Sequence, residues 1–180
     1  MNLSLRLAAL DDRPRLENLI AESATGLSRN DYSDEQIRAA LGGAFGVDSE
    51  LIHDGTYFVA EVDGEIVGCG GWSRRKTLFG GDAQPGRQSE SLDPTVDSAR
   101  IRAFFVHPRW ARHGIGREIL ERCEAEARRH GFRSAELLAT LPGERFYRAL
   151  GYAGRKRVAH RLNDDVTIDF VPMRKQLGPE

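Results

Sequence analysis

The stretch from Ala99 to Phe132, ARIRAFFVHPRWARHGIGREILERCEAEARRHGF, limits the folds open to this chain more than any other segment. An apolar strand, RAFFVHP, runs into a tight basic glycine loop, ARHGIGR, which opens directly into an amphipathic helix. On that helix Ile115, Ile119, Leu120, Cys123 and Ala127 share one face, while Arg, Glu and His fill the rest. A glycine loop at a helix N-terminus presents free backbone N–H groups and the positive end of the helix dipole to an anion. Arg109, Arg112, His113 and Arg117 crowd the same turn and add positive charge. The segment reads as a site for a phosphate-bearing cofactor. The bland alternative is a loop that needs two flexible residues and nothing more.

Two familiar nucleotide loops are excluded. A dinucleotide fingerprint needs a third glycine, and Ile119 stands there; a P-loop needs Gly-Lys followed by Ser or Thr, which is absent. The spacing of basic residues over a strand–loop–helix suits a pyrophosphate.

The rest of the chain alternates strands and helices. Residues 3 to 9 predict a first strand, and Asp11 or Asp12 caps a helix with Pro14 in its first turn and Leu16, Leu19 and Ile20 on its apolar face. Ser33 to Ala40 opens a second helix, with Ser33 as N-cap and Gln36 in the capping-box position. Tyr57–Val62 and Glu65–Trp72 form two strands joined by Asp63-Gly64, a strong hairpin signal. Thr77 to Ser98 has no apolar period and reads as a long loop. After the glycine-loop helix come a strand at Ala135–Ala139, a turn at Pro142-Gly143, a short helix at Glu144–Leu150, and a closing hairpin, Arg157–Leu162 with Val166–Met173. The order is β α α β β β α β α β β. It predicts an α/β fold, a mixed sheet with helices packed on it, in a single domain over residues 1–180.

Composition narrows the setting. A net charge of −1 gives no global attraction to nucleic acid or to a membrane surface. No apolar run approaches the ~20 residues of a membrane span, and the N-terminus has no secretory pattern, which points to the cytoplasm. Cys69 and Cys123 lie in apolar periodic segments and read as reduced buried thiols. The histidines show no metal-ligand spacing.

The segment Ala111-Arg112-His113-Gly114-Ile115-Gly116, with Val106-x-Pro108 upstream, resembles the cofactor motif of the GNAT acetyltransferase superfamily. In that motif, Q/R-x-x-G-x-G/A cradles the pyrophosphate of acetyl-CoA. Ala111 stands where the family has Gln or Arg, and the arginine is displaced by one, to Arg112. A second stretch, Ala139 to Tyr152, ATLPGERFYRALGY, is similar to the family's downstream F-Y-x-x-x-G-Y/F segment. The resemblance spans the whole order of elements and implies a central, mostly antiparallel mixed sheet flanked by helices.

The resemblance also implies a chemistry: transfer of an acetyl group from acetyl-CoA to a primary amine by direct attack, with CoA as product. It assigns Phe105, Val106, Arg112, His113, Gly114, Ile115, Gly116 and Arg117 to the cofactor, the strand amides pairing with pantetheine like an added strand. It makes Tyr147 the acid that protonates the leaving thiolate. It places the oxyanion donor, a backbone N–H freed by a bulge, in Phe104-Phe105-Val106, at Phe104. The base is open: the strand before the loop has no carboxylate, and a water chain or Glu61 is the choice. Trp72, Phe79, Phe104 and Phe105 are candidates for the acceptor pocket or equally for the core; Arg74, Arg75 and Lys76 at its mouth read as a solvated strand end or, if functional, as a preference for a carboxylate or phosphate. The acceptor reads as a small-molecule amine, with a peptide or protein amine as the rival. A non-catalytic CoA-binding sensor is the reading from a different class. Many family members pair as homodimers.

Overall fold

The computed structural model describes residues 2–179; Met1 and Glu180 lie outside it. Strand β1 (Leu3–Leu7) is followed by helices α1 (Arg13–Ser28), α2 (Asp34–Ala40) and α3 (Ser49–Asp54). Strands β2 (Tyr57–Val62), β3 (Glu65–Ser73) and β4 (Ala99–Val106) lead into helix α4 (Ile115–Arg129). Strand β5 (Ser134–Thr140), helix α5 (Leu141–Ala149) and strands β6 (Ala153–Gly154), β7 (Val158–Arg161) and β8 (Thr167–Gln176) complete the chain.

All eight strands form one sheet in the order β1-β2-β3-β4-β5-β8-β6, with β7 also paired to β8. Every pairing is antiparallel except β4 with β5. That exception shapes the molecule. The two parallel strands pair only through Ala99–Ala135 and Arg100–Glu136, then separate towards their C-terminal ends. The sheet is split there.

Two apolar layers cover the faces. On one, α4 packs Ile115, Ile119, Leu120, Cys123 and Ala127 against β2 to β5, as its helical spacing requires. On the other, Leu16, Leu19, Ile20 and Ala24 of α1 pack with Ile37 of α2 and Leu51 of α3. The Asp63-Gly64 turn has both residues in the left-handed region (φ 50° and 85°), the geometry that lets two-residue hairpins follow strand twist. Ser33 accepts from the Gln36 N–H at 3.1 Å, and Gln36 Oε1 accepts from the Ser33 N–H at 2.9 Å, closing the capping box.

Four local features differ from the sequence reading. β1 stops at Leu7, and Leu10–Asp12 form a 3-10 turn because the Asp12 carboxylate accepts from the Ala9 N–H and from Arg6. Helix α3, too short for an apolar period, is added, as is the two-residue β6. Pro142 and Gly143 do not make a turn. They lie in the first turn of α5, where proline has no N–H to satisfy, and the Thr140 hydroxyl caps the Gly143 N–H at 3.1 Å. The loop from Thr77 to Ser98 has no regular element, but it is tied to itself by paired Thr77 and Gln88 and by the Arg75–Ser91 bridge.

Candidate active site

The split between β4 and β5 opens into a cleft of about 1080 Å³, of the size that takes a small-molecule ligand. It is walled by α1, the β4 end, the glycine loop, α5 and the start of the long loop.

At its floor β4 is bulged. Cys69 faces Phe105 and Gly71 faces Arg102, so Ala103 and Phe104 together oppose the single residue Gly70. Ala103 sits at φ 57°, and a side chain at Gly70 would run into the Phe104 ring at 2.5 Å. Beyond the bulge the ladder is regular: the His107 N–H donates to the Val67 carbonyl at 2.9 Å, and Phe105 faces Cys69. Successive strand N–H groups alternate sides. The N–H groups of Phe104 and Val106 therefore point to the other edge, where β5 has already separated from β4.

The glycine loop adds a second row of donors. Among the described residues, no group accepts from the six consecutive backbone N–H groups of Arg112 to Arg117; the first helical bond of α4 is Glu118 N–H to Gly114 carbonyl. Arg112 and Gly114 are left-handed (φ 66° and 83°), which turns the chain into the helix. A side chain at Gly116 would sit 3.1 Å from the Phe146 ring, so the first turn must stay bare. Six free amides, a helix dipole, and exposed Arg112 and Arg117 beside the cleft fit a pyrophosphate group.

Tyr147 projects from α5 into the same cleft, with its ring edge-on to Phe104 at 6.3 Å. Burial, reinforced by the Cys123 thiol, pushes its phenol well above the ordinary range. The group thus stays protonated at neutral pH, and its gap from a thiol is wider than reference values suggest.

Of the residues expected at the cofactor and the reacting bond, Phe104, Phe105, Val106, Arg112, Gly114, Ile115, Gly116, Arg117 and Tyr147 all line the cleft. His113 contributes its N–H, but its ring turns back onto Trp110 (5.7 Å) and Nδ1 lies 2.9 Å from the Ala111 carbonyl. Phe79 and Phe105 line the cleft as expected; Trp72 does not. It is 1% exposed and packs under α4 against His130 and Phe132. Glu61 is remote too, held at 2.7 Å by Arg6 in an ion-pair network on β1 and β2, and is no base for this site. Arg75 is paired with Asp54 at 2.7 Å, Arg74 lies 4.0 Å from the same carboxylate, and neither these nor Lys76 lines the cleft. Tyr57 and Cys69, unforeseen, bear on the bulge from below; Phe45, Phe146 and Phe170 also join the lining. The run of glycines in β3 was the available signal for the bulge.

The model of the acetyltransferase (GNAT) family matches residues 15–152. No curated protein matches the chain significantly. Among solved structures, a GCN5-related N-acetyltransferase from Rhodopseudomonas palustris is 18% identical, with a TM-score of 0.71 over 98% of this chain and 96% of that one. The PaiA N-acetyltransferase of Thermoplasma acidophilum, solved with coenzyme A, is 16% identical, with a TM-score of 0.67 over 98% and 99%. The yncA putative acetyltransferase of Salmonella typhimurium, solved with acetyl-CoA, is 18% identical, with a TM-score of 0.62 over 100% and 96%. With its split sheet, bulged β4 and bare glycine loop, the chain belongs to the acetyltransferase (GNAT) family.

Proposed function

We propose that this acetyltransferase transfers the acetyl group of acetyl-CoA to the primary amine of a small molecule by direct attack. The observation that carries the reading is the continuity of one cleft from the six free amides of Arg112 to Arg117, past the Phe104 N–H, to Tyr147.

Acetyl-CoA supplies an activated thioester acetyl group when bound. The amides of His113 to Arg117, with Arg112, hold its pyrophosphate, and the Val106 N–H pairs with the pantetheine arm as a strand would. The Phe104 N–H, fixed by the bulge, stabilises negative charge on the thioester oxygen. Tyr147 gives a proton to sulfur as the C–S bond breaks and the N–C bond forms, while the amine gives up one proton. From the neutral amine, the N–C bond forms, the C–S bond breaks and one proton moves from nitrogen to sulfur overall; an ammonium first loses its extra proton to water. The buried thiols Cys69 and Cys123 support a reducing, cytoplasmic setting.

Thiol release from acetyl-CoA, with mass detection of the acetylated product, tests the reading across small amines and peptide N-termini. Turnover on small amines above that on peptides is expected. Preferred turnover on peptides assigns the rival acceptor, and tight acetyl-CoA binding without turnover on any amine assigns a sensor.

A further inference from the structure

The wall of the cleft on the α1 face of the sheet has its own chemistry. Phe45 lies 6.0 Å from Phe105 and 6.4 Å from Phe170, and Phe79 lies 5.7 Å from Phe170. These four rings form one cluster, and all line the cleft beside Leu138 and Leu141. They sit in the layer opposite α4, so the cluster meets the reacting end of the cleft from the side away from the glycine loop.

Charge on this side is nearly absent. Arg112 and Arg117 belong to the glycine loop and α4, and Arg145 to α5. Arg102, its side chain 0% exposed, is consumed by Glu50 and Asp48 (3.1 Å each) and the Thr77 carbonyl (3.1 Å). Arg87, in the same long loop as Phe79, is bound by the Gly80 and Gly81 carbonyls and by Asp48 at 2.9 Å. The His160 ring packs on Phe79 at 4.6 Å, and burial shifts its imidazole towards the neutral form. A carboxylate or phosphate held against the four rings would therefore be desolvated by them. Asp31 is the one carboxylate lining the cleft among the described residues; it is exposed and gives that side the sign that attracts an ammonium.

We infer that the acceptor is an arylalkylamine, a primary amine with an aromatic body and no carboxylate or phosphate, seated among Phe45, Phe79, Phe105 and Phe170. The inference rests on the acetyltransferase reading of the same cleft. An aromatic pocket rewards a ring by offset and edge-on contacts. It has nothing to exchange for the hydration of an anion.

The test compares phenethylamine, hexylamine, spermidine and glutamate as acceptors for the full-length protein, by CoA release and product mass. The kcat/KM for phenethylamine should exceed that for glutamate and for spermidine by ~100-fold or more, the scale of discrimination that pocket contacts supply. Phe79→Ala should lower it ~10-fold or more through KM, and Phe79→Leu should restore part of the loss. A kcat/KM for hexylamine, glutamate or spermidine equal to or above that for phenethylamine overturns the inference. Should no acceptor release CoA, calorimetry of phenethylamine with the CoA-loaded protein separates the two readings. Saturable binding weakened by Phe79→Ala keeps the arylalkylamine pocket and defeats the acetyltransferase reading; no binding defeats the pocket.

Discussion

The Ala103 carbonyl accepts from the Cys69 thiol at 3.6 Å and from the Tyr57 hydroxyl at 3.3 Å, a hydroxyl whose one proton is shared with the Cys69 sulfur at 3.2 Å. Ala103 is the left-handed residue of the β4 bulge, a conformation that costs an L-residue about 1–2 kcal/mol. Burial pushes the Cys69 thiol up to about 12 and raises the Tyr57 phenol well above its ordinary range, so both keep their protons at neutral pH. Two donors from the neighbouring strands thus hold in place the turn of backbone that aims the Phe104 N–H at the cleft.

Removing one of those donors should affect the chemistry rather than cofactor binding. Tyr57→Phe keeps the buried ring and deletes the hydroxyl, a bond worth about 0.5–1.5 kcal/mol. Steady-state kinetics should show kcat reduced ~2–10-fold, with the KM for acetyl-CoA close to the parent value. A fall in acetyl-CoA affinity with kcat unchanged would remove the clamp from the oxyanion donor.

Tyr147→Phe should lower kcat ~10²–10⁴-fold, the usual contribution of a positioned general acid, and leave acetyl-CoA affinity nearly intact. The pH profile carries its own sign. An acid must be protonated to act, so activity is lost as pH rises through its pKa. Burial raises that pKa above the ordinary phenol value, so kcat should show no descending limb from this group below about pH 10. A wild-type limb near neutrality that disappears in Tyr147→Phe would contradict the environment described for this side chain.

A Cβ at Gly114 meets nothing within 4 Å, so the position is constrained by its φ of 83° and by what lies in the cradle, not by the protein around it. Gly114→Ala should weaken acetyl-CoA by the cost of a left-handed residue, roughly tenfold. Gly114→Glu places a negative carboxylate among six amides that await an anion, and binding should become undetectable by calorimetry. Near-parental affinity in a folded Gly114→Glu protein would sink the cradle.

The sequence made the donor half of the site readable and the acceptor half hardly so. Glycines, proline and helix periodicity act locally: Gly114 and Gly116 mark a loop whose amides are free whatever surrounds it, and Ser33 with Gln36, three positions apart, marks a cap. Tyr57 is different. In sequence it is an apolar strand residue 46 positions from Ala103, and only the pairing of β2, β3 and β4 brings its hydroxyl to that carbonyl. Trp72 misled for the same reason. It pairs with Ile101, away from the split end of β4, and strand alternation turns its ring into the core under α4. Glu61 satisfied the chemical type of a base, and its distance from the site became visible only once Arg6 was found beside it. Phe45 and Phe170, far apart in the chain, meet through tertiary packing that no local pattern announces.

The charged cluster beneath the long loop should be the most sensitive structural point near the cleft. Arg102 precedes the bulge, and its guanidinium is wedged between Asp48 and Glu50, both supplied by the segment leading into and through α3. Its Nε has no partner, so the cluster is satisfied only in part, and desolvation raises the Asp48 carboxyl despite two nearby arginines. Such a cluster adds little net stability compared with apolar packing, yet losing one member strands a buried charge, at a cost of about 3–5 kcal/mol. Arg102→Met should therefore lower the urea midpoint sharply and expose the loop from Thr77 to proteolysis, because the Thr77 carbonyl loses its donor. Arg102→Met leaves Arg87 alone against Asp48 and Glu50, so adding Asp48→Asn removes the excess negative charge and should recover part of the loss. A double variant as unstable as the sum of the two single variants would show that the ions do not act as a pair, and that Arg102 matters only for the space it fills.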